Sequence, residues 1–243
     1  MKKRQRIRYG ILLLSFILFP VTLNYMSPYL SIAGPSQGIV NGSLIVFMGL
    51  FVGSLFFGRV WCGWVCPAGA AQEACSVVQP KQFRPKWLRF LKYFIYAGWL
   101  SLVILMFVSA GGIIGVDFFY MTEKVISVSE VQNYVIYYSV LFITFVLPLI
   151  FGKRATCYMI CWMAPFMIAG QSIARWIKLP RLRIKTNPET CIDCKKCDKG
   201  CPKSLDVSGY AKKGEITDIE CNKCLVCVDT CPTKTLSLKF GSK

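Results

Sequence analysis

The feature that most constrains the fold of this chain is a pair of cysteine runs near its C-terminal end. The sequence reads CIDCKKCDKGCP at 191–202 and CNKCLVCVDTCP at 221–232, so both runs have the spacing C-x2-C-x2-C-x3-C-P. Three cysteines in a tight loop can hold one face of a metal cluster, and a distant fourth completes the ligand set. Zinc ribbons instead usually offer two separated C-x2-C pairs, and disulfides are rare in the cytoplasm.

This spacing is typical of bacterial ferredoxins that bind two [4Fe–4S] clusters, in which the fourth cysteine of each run binds the other cluster. The first cluster is therefore assigned to Cys191, Cys194, Cys197 and Cys231. The second cluster is assigned to Cys221, Cys224, Cys227 and Cys201. Apolar Ile192, Leu225 and Val226 are expected to exclude water from the clusters. From residue 180 onward the composition is charged and rich in turns, so we predict an α+β two-cluster ferredoxin domain at 180–243.

The rest of the chain, 1–179, is too apolar for an ordinary soluble domain. Over the whole sequence 54% of residues are apolar, 17% are charged and the mean hydropathy is +0.48. Four apolar segments, at about 9–26, 42–57, 91–110 and 132–151, approach the roughly 20 residues that a membrane-spanning helix needs. We therefore predict four transmembrane helices, with Pro20 and Pro148 tolerated inside two of them. Lys92 is expected to snorkel from a helix end to the membrane surface.

Charge predicts the orientation of these helices. Basic residues precede the first segment and separate the second from the third: Lys2, Lys3, Arg4, Arg6, Arg8, Arg59, Lys81, Arg84, Lys86 and Arg89. The opposite side carries Lys124 beside Asp117, Glu123 and Glu130. The positive-inside rule thus places both termini and the ferredoxin domain in the cytoplasm of a bacterium or archaeon. The net charge of +17 is then explained by membrane topology and by attraction to anionic lipid, rather than by nucleic-acid binding. The first segment could also be a cleaved signal peptide, but we favour a retained anchor.

A repeated motif follows the second and fourth segments. Each copy reads Phe-Gly-basic and then C-x3-C, which gives Cys62 and Cys66 in one copy and Cys157 and Cys161 in the other. The four thiols could bind a third centre, either an iron–sulfur cluster or another metal. They could also be redox-active dithiols or inert buried cysteines, and Cys75 is expected to be inert. Because basic residues flank 60–80 and 155–174, we expect interfacial or re-entrant helices there, a fifth span at 155–174 being the alternative.

These motifs resemble the membrane polyferredoxins of the NapH type, which are quinol-dehydrogenase components. The related membrane part of the nitrous-oxide-reductase regulator and the copper-oxidase assembly ferredoxin share the pattern. The resemblance covers nearly the whole chain and includes Gly58-Arg59 and CGWVCP at 62–67. The second copy departs from the family pattern, because Cys161 is followed by WMAP rather than directly by proline. The resemblance implies electron transfer between the quinone pool, or a membrane redox partner, and a reductase in a multi-subunit complex.

The leading hypothesis is therefore an electron relay through two [4Fe–4S] clusters and the possible third centre, with no acid–base catalytic residue. Alternatives are a copper or iron reductase or assembly factor, and a structural anchor. The aromatic residues flanking the C-x3-C pairs could line a quinone pocket or form an interfacial belt: Trp61, Trp64, Tyr158 and Trp162. A group of lysines could steer an acidic redox protein or simply be solvated: Lys195, Lys196, Lys199, Lys203, Lys212 and Lys213.

Overall fold

The computed structural model describes residues 2–83, 85, 87–122, 126–128 and 131–242. The charged residues Arg84, Lys86, Glu123, Lys124 and Glu130, which enter the predicted orientation, lie outside these ranges. The described helices are α1 (Lys3–Ile17), α2 (Phe19–Thr22), α3 (Leu30–Ala33), α4 (Gly42–Phe57), α5 (Val60–Trp64), α6 (Pro67–Val78), α7 (Leu91–Ser109), α8 (Val131–Phe151), α9 (Ala155–Met159), α10 (Met163–Trp176), α11 (Lys196–Gly200), α12 (Val207–Ala211) and α13 (Val226–Thr230). The strands are β1 (Ile39–Asn41), β2 (Gly115–Asp117), β3 (Arg181–Thr186) and β4 (Leu236–Gly241).

Three of the four apolar segments form single helices, α4, α7 and α8, whose bounds lie within a residue or so of the predicted ones. The first segment differs from the prediction, because α1 starts earlier, in the basic stretch, and ends at Ile17. A separate short helix, α2, follows with Pro20 near its start. Proline has no N–H to donate and its ring clashes with the preceding turn, so the helix breaks just before it.

Among the described residues, α8 and the helical stretch that ends with α7 are long and apolar enough to cross a membrane by length and composition, while α4 is shorter. Few residues in their apolar stretches are buried, and Phe94 and Phe142 expose 81% and 67% of their surface. The core helices of a soluble protein would bury such side chains. Lys92, at the start of α7, is fully buried and paired with Glu220, so the expectation that it snorkels to the membrane surface is wrong.

The repeated motif corresponds to a repeated structure. In each copy a long helix (α4 or α8) ends at a glycine with positive φ, +60° at Gly58 and +100° at Gly152. A five-residue helix (α5 or α9) and a helix of 12 or 14 residues (α6 or α10) follow. Glycine reaches this left-handed region at little cost. At Gly152 a side chain would also collide with the carbonyl of Lys81.

Each of the helices α6 and α10 runs beside the long helix of the other copy, toward the end of that helix. Cys75 and Gln79 lie by the carbonyls of Phe145 and Leu149 in α8. The ring of Phe166 packs on Phe47, and Gly170 lies against Ser54 in α4. A helix of 14 residues is about 21 Å long, which is short of a hydrocarbon core of about 30 Å. This geometry favours the re-entrant prediction over a fifth span at 155–174.

The C-terminal unit is built on an antiparallel pair of strands, β3 and β4, with Ile184 opposite Leu238. Glu215 extends this pair through a bridge to Lys185. A small apolar core lies against it, formed by Ile184, Leu205, Val207, Ile216, Leu225 and Leu236. At the other end of the molecule β1 and β2 form a short parallel pair.

Candidate metal centres

The two cysteine runs adopt the same backbone conformation. Asp193 and Lys195 in the first run have positive φ, and so do Lys223 and Leu225 at the equivalent positions of the second. A five-residue helix, α11 or α13, begins directly after the second of these residues. Alternation of left-handed and right-handed residues turns successive N–H groups toward one concave side, which is how backbone binds iron–sulfur clusters and other anions.

One cavity in this unit is lined by Cys201, Cys221, Cys224 and Cys227. Its other walls are mainly aliphatic, and Asn222 is the amide side chain among them. The Nδ2 group of Asn222 is buried and has no hydrogen-bond partner among the described residues. A buried donor without an acceptor is costly, so this cavity fits a group that brings sulfur acceptors and negative charge, such as a [4Fe–4S] cluster.

The cysteines of the other predicted set are more open. Cys194 is exposed, while Cys191, Cys197 and Cys231 are half-buried. Burial, followed by the charge of Asp198, raises the pKa of Cys197 to about 11. Burial also acts to raise the pKa of Cys231, but hydrogen bonding from the hydroxyls of Thr233 and Thr235 lowers it overall.

The four cysteines of the C-x3-C pairs lie close together. Burial raises the pKa of Cys66, and the nearby sulfurs of Cys62, Cys157 and Cys161 raise it further. Burial and the same repulsion raise the pKa of Cys161 to about 12. Such mutual repulsion between thiolates disappears when a cation binds them, so the donor set fits a metal centre.

Gln72 holds Cys157 through both of its amide atoms. Its Nε2 lies 3.1 Å from the Cys157 sulfur, and its Oε1 accepts from the Cys157 backbone N–H at 3.3 Å. Gln72 is buried in α6, which follows the first cysteine pair, so it joins one copy of the repeat to the other. Hydrogen bonds to a ligating sulfur tune the potential of a cluster.

Buried charge surrounds these cysteines and is unbalanced. Glu73 accepts from Arg8 and Arg154, while Glu220 pairs with Arg59 at 2.6 Å, with Lys203 at 3.3 Å and with Lys92. This network therefore holds five buried cations against two carboxylates, an excess of three positive charges. Although burial acts in the opposite direction, the cations hold the pKa of Glu220 well below its usual range.

Two of these buried cations carry a donor without a hydrogen-bond partner in the described part of the chain, Arg59 Nε and Arg154 Nε, and Lys203 Nζ makes no hydrogen bond there beyond its ion pair with Glu220. Arg59 Nη2 lies 4.0 Å from the Cys62 sulfur, and Arg154 Nη1 donates to the Cys62 carbonyl at 2.7 Å. Burying cations is expensive unless they are paired. A negatively charged centre at the four cysteines would supply the missing charge and acceptors.

The first C-x3-C pair lies directly against the second cysteine run. A side chain on Gly63 would collide with the carbonyl oxygen of Asn222. Next to it, Trp64 Nε1 donates to the carbonyl of Lys223 at 3.1 Å. The α1 helix contacts the same run, because Gln5 donates to the carbonyl of Cys224 at 3.1 Å. The two cysteine sites are thus in backbone contact.

Within the described ranges, no three Cys, Asp or Glu side chains converge closely enough to hold a single metal ion. A mononuclear tetrahedral site needs its sulfurs about 2.3 Å from one ion. A cubane binds each thiolate at a separate iron and so needs sulfurs that stand further apart.

Comparison with known proteins identifies both regions. Residues 42–86, which include the first C-x3-C pair, match the family described as 4Fe-4S binding domain, and residues 183–232 match the 4Fe-4S dicluster domain. YccM of Escherichia coli (strain K12), named as a candidate electron transport protein, is 26% identical over 87% of this chain. The protein NirI of Paracoccus denitrificans (strain Pd 1222) is 22% identical over 92% of it. These matches make the chain similar to the polyferredoxins of the NapH/NirI type.

The chain therefore carries two 4Fe-4S binding domains, which support two [4Fe–4S] clusters. It spans 60% of the length of YccM and 34% of NirI. It spans 82% of MJ0750 of Methanocaldococcus jannaschii, which is 27% identical over 86% of this chain. No solved structure matches the chain.

Two sequence predictions about the C-terminal unit are wrong. Lys203 is buried against the ring of Tyr158, with its Nζ 3.6 Å from the ring centroid, and so cannot belong to a solvated group of lysines. Ile192 exposes 65% of its surface and does not exclude water, because among the described residues its loop lacks the cover that α1 and Trp64 give to the second run. The water-excluding role predicted for Leu225 agrees with its burial.

The aromatic residues beside the C-x3-C pairs make interior contacts. Tyr158 is fully buried, stacks on Phe83 at a centroid distance of 4.8 Å and donates to the carbonyl of Lys203. Trp162 Nε1 donates to the carbonyl of Met26 at 3.2 Å. An interfacial belt therefore does not describe Tyr158. Cys75, predicted to be inert, is buried beside the carbonyl of Phe145.

Sequence reasoning missed the residues that surround the third cysteine set: Gln72, Glu73, Arg154 and Glu220. Arg59 entered the sequence argument only as a signal of orientation. One clue was available, because a basic residue follows the glycine in both copies of the repeat, and Arg154 comes next in the second copy. In the structure Arg59 and Arg154 are buried beside the cysteines.

Proposed function

We propose that this chain relays electrons between the quinone pool, or a membrane redox partner, and a reductase, through three iron–sulfur centres in series. The observation that carries the proposal is the backbone contact of Gly63 with Asn222, which sets the C-x3-C cysteines directly against the second run. Electron tunnelling requires the two redox centres to lie close together. Because glycine has no side chain, Gly63 lets the two backbones approach more closely than any other residue would. The order of the sites would be the C-x3-C set, the buried run and then the open run.

The proposed ligands follow the predicted sets. Cys191, Cys194, Cys197 and Cys231 would hold the first cluster, and Cys221, Cys224, Cys227 and Cys201 the second. Cys62, Cys66, Cys157 and Cys161 would hold a third centre. Support comes from the cavity shared by Cys201 and the second run, and from the mutual repulsion of the C-x3-C thiols.

We further propose that the chain divides into a membrane domain at 1–179, with four spanning helices, and a cytoplasmic ferredoxin domain at 180–243. The exposed apolar surfaces of α7 and α8 support this division, as does the return of α6 and α10 toward the ends of α4 and α8. The third cysteine set would then lie below the membrane surface, where quinone is accessible.

A bound [4Fe–4S] cluster supplies reversible one-electron oxidation and reduction. The residues of the chain provide the environment for it. The positive charges of Arg59, Arg154 and Lys203 would stabilise the extra negative charge of a reduced cluster. Aliphatic side chains keep water out, which lowers the cost of reorganisation. No side chain is required to move a proton or form a covalent bond.

Iron and acid-labile sulfide analysis with EPR tests the ligand assignment. Wild-type chain should contain about twelve irons, and Cys62→Ala about eight, since each [4Fe–4S] cluster contains four. Cys75→Ala, a buried cysteine outside the proposed sets, is the matched control and should keep about twelve. About eight irons in both wild type and Cys62→Ala would overturn the third centre.

Anaerobic mixing with quinol tests the relay itself. In lipid nanodiscs, a quinol should reduce the clusters of the wild-type chain, and Cys62→Ala should remain oxidised while still being reduced by dithionite. Equal reduction of both proteins by quinol would show that electrons bypass the C-x3-C cysteines.

One contact favours a second candidate, a copper reductase or assembly factor. The Cys62 sulfur lies 3.9 Å from the thioether sulfur of Met167, and thiolate and thioether ligands together select Cu(I). Stoichiometric copper in the purified chain, lost in Met167→Leu without loss of iron, would establish this alternative. Absence of copper binding would exclude this alternative and leave the electron relay as the proposed function.

A further inference from the structure

The two cysteine runs have equivalent backbones but opposite surroundings. Asn222, Cys224 and Leu225 are buried in the second run, whereas Ile192, Cys194 and Lys195 at the matching positions are exposed. The second run is covered by α1 and by Trp64. Among the hydrogen bonds and ion pairs of the described residues, none joins 190–196 to the membrane domain. The first run therefore offers a cysteine ligand to the outside.

This open run lies in a basic surface, which we call the cluster 1 face and define as Ile192, Cys194, Lys195, Lys196, Lys199 and Lys212. All six side chains are exposed. Three acidic residues lie in or beside the face, so its four lysines keep a small excess of positive charge. Asp193 pairs with Lys212 at 3.1 Å, and Asp198 is engaged by the hydroxyl of Ser208 at 2.7 Å. Glu189, just outside the face, is exposed.

We propose that the cluster 1 face is the docking site of a small acidic one-electron carrier protein, and this proposal rests on the relay proposed above. Transient redox complexes use small interfaces with an apolar contact and a charged rim. Ile192 provides the apolar contact, Cys194 brings a ligand to the surface, and the lysines select an acidic partner by steering it.

The reaction at this face is the transfer of a single electron. When the chain is the donor, the cluster held by the open run is oxidised by one electron and the redox group of the carrier is reduced by one. No bond is formed or broken and no proton is moved. The opposite direction balances in the same way.

A lipid surface is the competing partner for exposed lysines, but the position of this loop disfavours it. The parts of the ferredoxin domain that make hydrogen bonds or ion pairs with the membrane domain are the second run and the segments at 198–204 and 217–220. At one edge of the cluster 1 face, the carbonyl of Lys199 accepts from Lys153 at 3.0 Å. Gln82 donates to the carbonyl of Asp198, and Ser204 Oγ accepts from the N–H of Phe83. The loop at 191–196 makes no such contact within the described residues.

Stopped-flow kinetics tests the proposal on the full chain in nanodiscs of zwitterionic lipid. The protein is first reduced with dithionite, and the excess dithionite is then removed. The probe is an oxidised acidic flavodoxin, whose semiquinone reports electron arrival. We expect the wild-type rate to fall steeply with added salt, because opposite charges attract. The double variant Lys195→Glu/Lys196→Glu should react about tenfold more slowly at low salt and lose the salt dependence. A basic cytochrome c should show no such acceleration at low salt.

The matched control is Lys185→Glu/Lys239→Glu, which makes the same change in net charge at exposed positions of β3 and β4. It should stay within about twofold of wild type. Equal losses in both double variants, or no loss in the loop variant, would overturn the docking site. So would a wild-type rate that depends on anionic lipid in the nanodisc and not on salt, an outcome that assigns the lysines to the membrane.

The docking site and the relay can fail separately. Cluster content by EPR in each variant excludes loss of folding as the cause of a slower reaction. If dithionite-reduced chain transfers electrons to flavodoxin while quinol cannot reduce the chain, the docking site stands and the quinone part of the proposed relay fails.

Discussion

The two cysteine runs of the ferredoxin domain differ in what surrounds them rather than in their own sequence pattern. Both have the same spacing, the same two left-handed residues and the same short helix. One is sealed by α1 and the Gly63 turn, with Asn222 buried at its start. The other presents Ile192 and Cys194 to solvent. The cysteine spacing thus specifies how a cluster is held. In the proposed relay, the surroundings would decide whether that cluster exchanges electrons within the chain or with a partner.

Among variants that would disturb the surroundings of the buried run, Glu220→Gln is expected to have the largest effect, a loss of folding stability. This carboxylate, just before the second run, pairs with Arg59, Lys92 and Lys203. Removing its charge leaves buried cations unpaired and should cost about 3–5 kcal/mol. Denaturant unfolding followed by tryptophan fluorescence measures this loss. Glu189→Gln, next to the open run and exposed, is the control and should unfold as the wild type does; equal midpoints for all three proteins would contradict the prediction.

Gly63→Ala is expected to have the next largest effect, because the added methyl would meet the carbonyl of Asn222. Relief of this overlap must separate the C-x3-C turn from the buried run, at a cost on the order of 2–3 kcal/mol. Quinol reduction of the ferredoxin clusters should slow, while their reduction by dithionite should not.

The control for this change is Gly49→Ala in α4, where a methyl group meets nothing within 4 Å. It should leave both reactions unchanged. If Gly63→Ala and Gly49→Ala behave alike, the contact with the buried run does not limit electron transfer.

Asn222 and Ile192 occupy matching positions in the two runs. Exchanging them is expected to have a smaller effect on stability and reduction potential, larger in the buried run than in the open run. Asn222→Ile removes a donor that lines the cysteine cavity and should shift the reduction potential of that cluster and cost about 1–2 kcal/mol. Ile192→Asn, in the exposed loop, should change stability by less than about 0.5 kcal/mol. EPR-monitored redox titration and thermal unfolding measure the two effects. Shifts of equal size in both variants would remove the distinction between a sealed and an open run.

The smallest expected effect concerns Glu215, which lies outside both runs and bridges to Lys185 of β3. Burial acts to raise its pKa, but hydrogen bonds from Arg183, at 2.6 Å from Nε, lower it overall. A lowered folded pKa means that the ionised form stabilises the fold above the unfolded pKa of about 4.3, and that this stability is lost as pH falls through the folded value.

Glu215→Gln should therefore cost about 1 kcal/mol at pH 7, and its difference from wild type should shrink as the pH falls below about 5. Denaturant unfolding at several pH values measures this. A difference that stays constant at all of them would show that Arg183 and Glu215 do not interact as an ion pair.

Features that depend on nearby residues could be predicted from the sequence, because the cysteine spacing and the length of each apolar segment are read within one stretch of chain. The helices α4, α7 and α8 and the repeated motif were predicted on that basis. The buried ion network could not be predicted, since its partners are far apart in the chain: Arg59 and Glu220 are 161 residues apart. Lys203 and Ile192 were misassigned for the same reason, because only tertiary packing buries one and exposes the other.

The surplus of buried positive charge in the network of Glu73 and Glu220 has a consequence for biogenesis. A newly made copy that lacks metal and sulfide must confine mutually repelling guanidinium and ammonium groups in a dry interior, which opposes closure. We expect insertion of the inorganic core and compaction of the polypeptide to be one coupled event. An unfilled copy would then remain loosened and open to quality-control proteases, so that cells accumulate only chains able to conduct electrons.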